Sequence, residues 1–188
     1  MKLELTRQLT LANQLTLLRM LLIPAFVILV VYGYLGWALI VFATAGLTDA
    51  LDGLIARWSG EKTRLGAWLD PMADKLLLVS TFVVLTVPNL GLSNRLPLWL
   101  TVLIISRDVG IVFTVAVVNL AIGPRTFKPS IFGKMATAIY IVTAVVAMFF
   151  NYRQHESPVV TLFAYASLII TIVSALHYTW HAARIIEE

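Results

Sequence analysis

There is no cysteine among the 188 residues of this chain. Disulfides, thiolate nucleophiles and thiolate metal sites are therefore excluded, although no compartment is identified by that absence. Charge is scarce too: Asp, Glu, Lys and Arg make up 13% of the sequence, against about 25% in an ordinary soluble domain. No run of five basic residues occurs, so the net charge of +4 and the pI near 9.6 point to anionic inner-leaflet lipid rather than nucleic acid. Also missing are an internal repeat, a low-complexity tract and a linker long enough to divide the chain. A single domain over residues 1–188 is expected.

What is present is apolar. Hydrophobic residues make up 60% and the mean hydropathy is +0.89, the signature of a membrane protein. Apolar runs at about residues 15–32, 36–56, 75–90, 96–120, 131–150 and 158–180 each approach the roughly 20 residues that a spanning helix needs. The fold class predicted is an all-α membrane bundle of six transmembrane helices. Residues 1–14 carry Lys2, Glu4 and Arg7 and run into a full span without a small-residue cleavage site, so no cleavable signal peptide is expected. Residues 3–12, with Leu3, Leu5, Leu9 and Leu11 among polar neighbours, fit a short interfacial amphipathic helix as well as a solvated tail.

With six spans both termini share a side, together with the second and fourth loops. That side collects Lys2, Arg7, Arg19, Arg57, Lys62, Arg64, Lys75, Arg125, Lys128, Lys134 and Arg184, against Arg95 and Arg153 on the other. By the positive-inside rule the richer side is cytoplasmic, which places both termini and the Asp49–Asp74 segment there; the short chain without a transit peptide favours a bacterial inner membrane over a mitochondrial one.

The charge that does occur is concentrated. Asp49, Asp52, Gly53, Ala56, Arg57, Gly66, Asp70 and Asp74 form the pattern D-x2-D-G-x2-A-R-x8-G-x3-D-x3-D. Each carboxylate near a bilayer core costs about 2.5–3.5 kcal/mol on insertion scales, so four together need a partner, and a divalent cation is the obvious one. Asp49 and Asp52 are i,i+3 neighbours near the end of the second span, and Asp70 and Asp74 are i,i+4 neighbours at the start of the third, so each pair shares a helix face. From Gly36, Asp49 is 13 residues along, about 20 Å into a core of roughly 30 Å. If the second and third helices pack together, four hard oxygen donors converge, a set suited to Mg2+, Mn2+ or Ca2+, with Mg2+ or Mn2+ favoured beside phosphates. Gly53 and Ala56 leave room for a ligand, and Arg57 is placed to reach a phosphate oxygen. Simpler roles compete: Asp70 before Pro71 also reads as a helix N-cap with proline at N1, Asp74 with Lys75 as a first-turn charge pair, and Asp49 or Asp52 as a partner of Arg57 or Lys75.

These residues resemble the signature of the CDP-alcohol phosphotransferases, integral membrane enzymes, and match each of its fixed positions; the likeness covers essentially the whole chain. The resemblance implies that Asp49, Asp52, Asp70 and Asp74 bind one or two Mg2+ or Mn2+ ions that hold the diphosphate of a CDP-linked substrate. It further implies that Asp74 is the general base on the acceptor hydroxyl, that Gly53, Ala56 and Gly66 line the cytidine pocket, that Arg57 contacts phosphate, and that the chain pairs as a homodimer. A carboxylate beside a cation is a weak base, so the cation must also acidify the hydroxyl.

Several further residues belong to a second tier. Asn13, Thr16, Arg19 and Pro24 resemble the N-x-L-T-x-x-R-x4-P opening of the family's phosphatidylglycerophosphate and cardiolipin branches; Asn13 or Thr16 also fits a helix cap and Arg19 a snorkelling anchor, as well as phosphate contact. Arg107 and Asp108 fall mid-span, where ionisable groups are functional candidates or internal charge balance. Arg107, Arg125, Lys128 and Lys134 together suit a basic pocket for a phosphate-bearing acceptor, while Lys134 also fits a positive-inside anchor. The stretches around Asp49, Arg107 and Lys128-Pro129-Ser130 look like cardiolipin synthases of eukaryotic type, and phosphatidylglycerophosphate synthases usually have Arg-Glu where this chain has Arg107-Asp108. The expected donor is therefore CDP-diacylglycerol, with phosphatidylglycerol favoured as acceptor and glycerol 3-phosphate as the alternative. His177 and His181, an i,i+4 pair without a third ligand nearby, read as interfacial beside Tyr178 and Trp180. A divalent-cation transporter is the competing class, but the carboxylates cluster towards one face and no matching polar residues occur in the outer halves of the helices. An inactive scaffold is expected to lose part of the aspartate set, and none is lost.

Overall fold

The computed structural model describes residues 11–59, 64–123 and 130–187; side chains at 11–12, 50, 52–59, 64–65, 67–68, 121–122 and 181–187 are outside that description. Six helices account for nearly all of it: α1 Leu11–Val31, α2 Leu35–Ser59, α3 Arg64–Thr86, α4 Leu98–Ile122, α5 Ile131–Tyr152 and α6 Pro158–Glu187. No strand occurs among the described residues, in line with the all-α expectation. Among the described residues four stretches are long and apolar enough to cross a bilayer: Asn13–Val31, Leu98–Leu120, Ile131–Tyr152 and Pro158–Trp180. Four of the six expected spans meet this criterion among the described residues. In α2 the apolar stretch is Leu35–Asp49, and α3 carries Arg64, Asp70, Asp74 and Lys75; the aspartates themselves depress the hydropathy of these two helices. The interfacial helix considered for residues 3–12 falls mainly outside the described residues.

The chain forms two compact units, Met1–Leu92 and Ser93–Glu188. In the first, α1 packs against both α2 and α3. Its buried face runs Asn13, Thr16, Arg19, Ile23, Phe26, Val30, steps of three and four that keep one stripe inward. The stripe is polar over its first half and apolar over its second, where Phe26 meets Phe42 of α2 with ring centroids 5.9 Å apart. Ala38, Ala45 and Ala73 are fully buried, and such small residues let membrane helices approach closely. The turn from α1 to α2 is a Schellman cap: Tyr34 N donates to Leu29 O and Gly33 N to Val30 O, with Gly33 at φ +78°, a conformation that costs a glycine little.

α3 begins at Arg64, about three turns before the apolar run near residue 75. Pro71 therefore lies inside it, and the reading of Asp70 as N-cap with Pro71 at N1 is overturned: the helix is already under way when it reaches them. Pro71 has no N–H to offer the carbonyl of Ala67. Asn13 and Thr16 likewise lie within α1, which removes the capping role considered for them.

In the second unit α6 packs against α4 and α5. Its buried positions include Val160, Ala164, Ser167, Thr171 and Ser174, with Ile170 beside them; the first five repeat at steps of four and three and are mostly small or hydroxyl side chains, the composition expected where helices meet without water. Thr143 of α5 bonds Ser167 at 2.8 Å, and Tyr140 bonds Thr171 at 2.6 Å. At the end where α4 and α6 begin, Asn94 and Asn151 clasp: Asn94 N donates to Asn151 Oδ1 at 2.7 Å and Asn151 Nδ2 to Asn94 O at 3.1 Å. Asn94 also donates from Nδ2 to His155 O and accepts from Ser157 N, so one side chain ties its own loop to the loop between α5 and α6.

Candidate active site

The polar half of the α1 stripe faces the carboxylates. Arg19 Nη1 stands 2.9 Å from Asp49 Oδ1 on α2 and is also bonded to Asp74 Oδ1 on α3. One turn earlier, Thr16 Oγ1 donates to Asp70 Oδ1 at 2.5 Å, within the range of a hydroxyl bonded to an ionised acceptor. Arg19 and Thr16 are fully buried, whereas the side chains of Asp49 and Asp74 remain 46% and 43% exposed. The carboxylates are therefore held from the buried side and open on the other.

The arrangement refines the expected geometry. Among the described residues, the extensive contacts of this unit are those of α1 with α2 and with α3; the aspartate-bearing helices are gathered across α1 rather than mainly against each other. Arg19 does not snorkel, since none of its side chain is exposed. It engages the carboxylates of Asp49 and Asp74, and Thr16 engages that of Asp70. Asp49 pairs with Arg19, a partner not considered for it from sequence; the side chain of Arg57, considered there, lies outside the described residues. Asp52, Gly53, Ala56 and Arg57 lie in α2, with side-chain placement outside the described residues; Gly66 is buried in α3.

Among the described residues no three His, Cys, Asp or Glu side chains cluster closely enough to hold a metal ion. The donor set nevertheless fits a hard divalent cation: Asp49 and Asp74 oxygens lie within two hydrogen-bond lengths of each other around one cationic nitrogen, so positive charge is already stabilised at that point. Asp70, one turn before Asp74, is a third hard donor on the same helix.

Arg107, in the second unit, is nine-tenths buried. Its Nη1 pairs with Asp108 Oδ1 at 2.7 Å and its Nη2 donates to Ser174 Oγ at 2.6 Å, while Nε has no hydrogen-bond partner among the described residues. The charge balance considered for Arg107 and Asp108 is thus present, with Ser174 added. A Cβ at Gly133 would stand 3.2 Å from Arg107 Nη2, so the guanidinium approaches the first turn of α5, capped by Ser130, which accepts from Gly133 N. Sequence reasoning passed over Ser174 and Gly133; the signal for Ser174 is its place in the series with Ser167 and Thr171. Lys134 is exposed on that first turn. Arg125 and Lys128 lie outside the described residues. His177 packs against Phe132, centroids 4.8 Å apart, and near Trp180, as an interfacial aromatic does; the side chain of His181 is outside the described residues.

A membrane-embedded helical enzyme with half-open aspartates on two helices is the class these features define. Residues 9–179 match the family described as CDP-alcohol phosphatidyltransferase, and the chain belongs to that family. Its relatives include a "Probable phosphatidylglycerophosphate synthase" of Mycobacterium tuberculosis, 34% identical over 93% of this chain and 82% of the relative. They also include the "Cardiolipin synthase (CMP-forming)" of Homo sapiens, 37% identical over 77% of this chain and 53% of the relative. The "Probable cardiolipin synthase (CMP-forming)" of Drosophila melanogaster is 32% identical over 90% and 56% respectively. The chain is a CDP-alcohol phosphotransferase of anionic phospholipid synthesis, and the transport reading is set aside.

Proposed function

We propose that the chain transfers the phosphatidyl group of CDP-diacylglycerol to the hydroxyl of a phosphate-bearing glycerol acceptor, phosphatidylglycerol before glycerol 3-phosphate, and so makes cardiolipin. The observation that carries the reading is the convergence of Asp49 and Asp74 on Arg19, beside Asp70, within a complete family motif. In the step, the acceptor oxygen forms a bond to the phosphatidyl phosphorus while the bond from that phosphorus to the CMP oxygen breaks; CMP leaves with the electron pair and Asp74 takes the hydroxyl proton. Asp49, Asp52, Asp70 and Asp74 hold one or two Mg2+ or Mn2+ ions, which when bound neutralise the diphosphate and acidify the acceptor hydroxyl. Arg57 contacts phosphate, and Gly53, Ala56 and Gly66 accommodate cytidine. Asn13, Arg107, Arg125, Lys128 and Lys134 serve acceptor and phosphate recognition. The exposure of Asp49 and Asp74 supports access for both substrates.

All six helices are taken to cross the bilayer as one functional domain, with both termini and the aspartates on the cytoplasmic side of a bacterial inner membrane, and the chain is taken to pair as a homodimer. Support for the spans comes from length: α2 with 25 residues and α3 with 23 reach about 35 Å, beyond a core of roughly 30 Å. The family match through residues 9–179 runs across both compact units, which supports one domain. Phosphatidylglycerophosphate synthesis is the second reading, favoured by the broader coverage of the mycobacterial relative. The test is CMP release from purified protein with CDP-diacylglycerol and Mg2+ or Mn2+, with Asp70→Asn as blank. Release with phosphatidylglycerol alone supports cardiolipin synthesis, and release with glycerol 3-phosphate alone supports the second reading.

A further inference from the structure

We infer that Thr16 is a positioning residue for this reaction: from α1, its hydroxyl fixes the carboxylate of Asp70 on α3 in the orientation in which it receives a divalent cation. The inference rests on the metal-binding role proposed for the aspartates and adds a residue that acts through one of them.

Buried threonines in this unit show the alternative. Thr81 and Thr86 donate to the carbonyls of Leu77 and Phe82, one turn back in their own helix, a local bond that needs no partner helix. Thr16 donates across to a carboxylate 54 residues away. It has no exposed surface, so water does not compete for the bond. Arg19, three residues on, reaches Asp74, four residues beyond Asp70; the two bonds form successive rungs between α1 and α3. A carboxylate bonded through one oxygen has its rotation about χ2 restricted, leaving the second oxygen in a defined direction. Orientation of this kind by groups behind the ligands typically changes metal affinity by about 10–100-fold when lost.

Mn2+ binding to the full chain in detergent, without substrates, tests this by the electron paramagnetic resonance of free Mn2+. Thr16→Val keeps the volume and removes the hydroxyl; Thr16→Ala removes it with less crowding, so one folded variant suffices. Affinity is expected to fall about 10–100-fold in either and to return to within a few-fold of the parent in Thr16→Ser. In turnover, raising Mn2+ is expected to restore kcat in Thr16→Val, whereas a packing role would lower kcat at every Mn2+ concentration. Wild-type affinity in the Val and Ala variants, beside weak binding in Asp70→Asn, overturns the positioning role and leaves the metal reading standing. Equal losses in Ser and Val also overturn it. Absence of Mn2+ binding in the parent chain removes the metal reading, and the inference with it.

Discussion

Arg19 Nη1 lies 2.9 Å from Asp49 Oδ1 and is bonded to Asp74 as well, so a single guanidinium nitrogen ties α2 to α3. Replacing Arg19 with Met keeps most of its volume and leaves two carboxylates facing each other. Both are nearly half exposed, so water covers part of the loss, and the expected cost is about 1–3 kcal/mol rather than the 3–5 typical of a wholly buried pair. The unfolding midpoint in metal-free detergent checks this. Arg19→Lys, which keeps the charge, should fall between.

Asp74→Asn preserves shape and removes the proposed base. CMP release at saturating metal is expected to fall by about 10²–10⁴-fold, with a smaller drop in unfolding midpoint than Arg19→Met gives, because Arg19 keeps Asp49. A variant with near-parental turnover would assign the proton to another group.

Gly133→Ala places a methyl group 3.2 Å from Arg107 Nη2 and 3.3 Å from Ser130 Oγ. If Arg107 recognises the acceptor phosphate, displacing it should cost about 1 kcal/mol, roughly fivefold in acceptor KM, with kcat little changed. An unchanged KM would confine Arg107 to its bonds with Asp108 and Ser174.

Asn151→Ala strips the Asn94 backbone of both bonds from the buried Asn151 side chain. Two groups lose their partners, so a loss of about 2–3 kcal/mol is expected in the unfolding midpoint. Gln154, at φ +49° in the cap that ends α5, predicts the opposite sign: Gln154→Gly should stabilise by about 0.5–1 kcal/mol.

The aspartates were legible because their i,i+3 and i,i+4 spacings survive any packing of the helices that carry them. The start of α3 was not. Arg64, Asp70, Pro71, Asp74 and Lys75 lower hydropathy and punctuate the sequence, yet the backbone bonds of a helix form regardless of hydropathy, and only Pro71 lacks a donor. The bridge from Arg19 to Asp74 spans 55 residues and exists only because α1 packs on α3; locally Arg19 is one cation near a helix end, indistinguishable from an interfacial anchor. The clasp of Asn94 and Asn151 was hidden for the same reason, since each is an isolated asparagine until α5 brings them together. Arg107 stood out in a long apolar run, but Ser174 became its partner only through the seam of α6.

The order of helices along the chain acquires meaning from the fully buried position of Arg19. During synthesis α1 emerges before α2 and α3, apolar enough to partition into lipid by itself, with a guanidinium among its buried positions. The two segments that follow carry the carboxylates and are poorer candidates for independent partitioning. Each packs on a helix that already offers the opposite charge, so the residue that shapes the finished site also offsets the cost of holding carboxylates beside apolar helices.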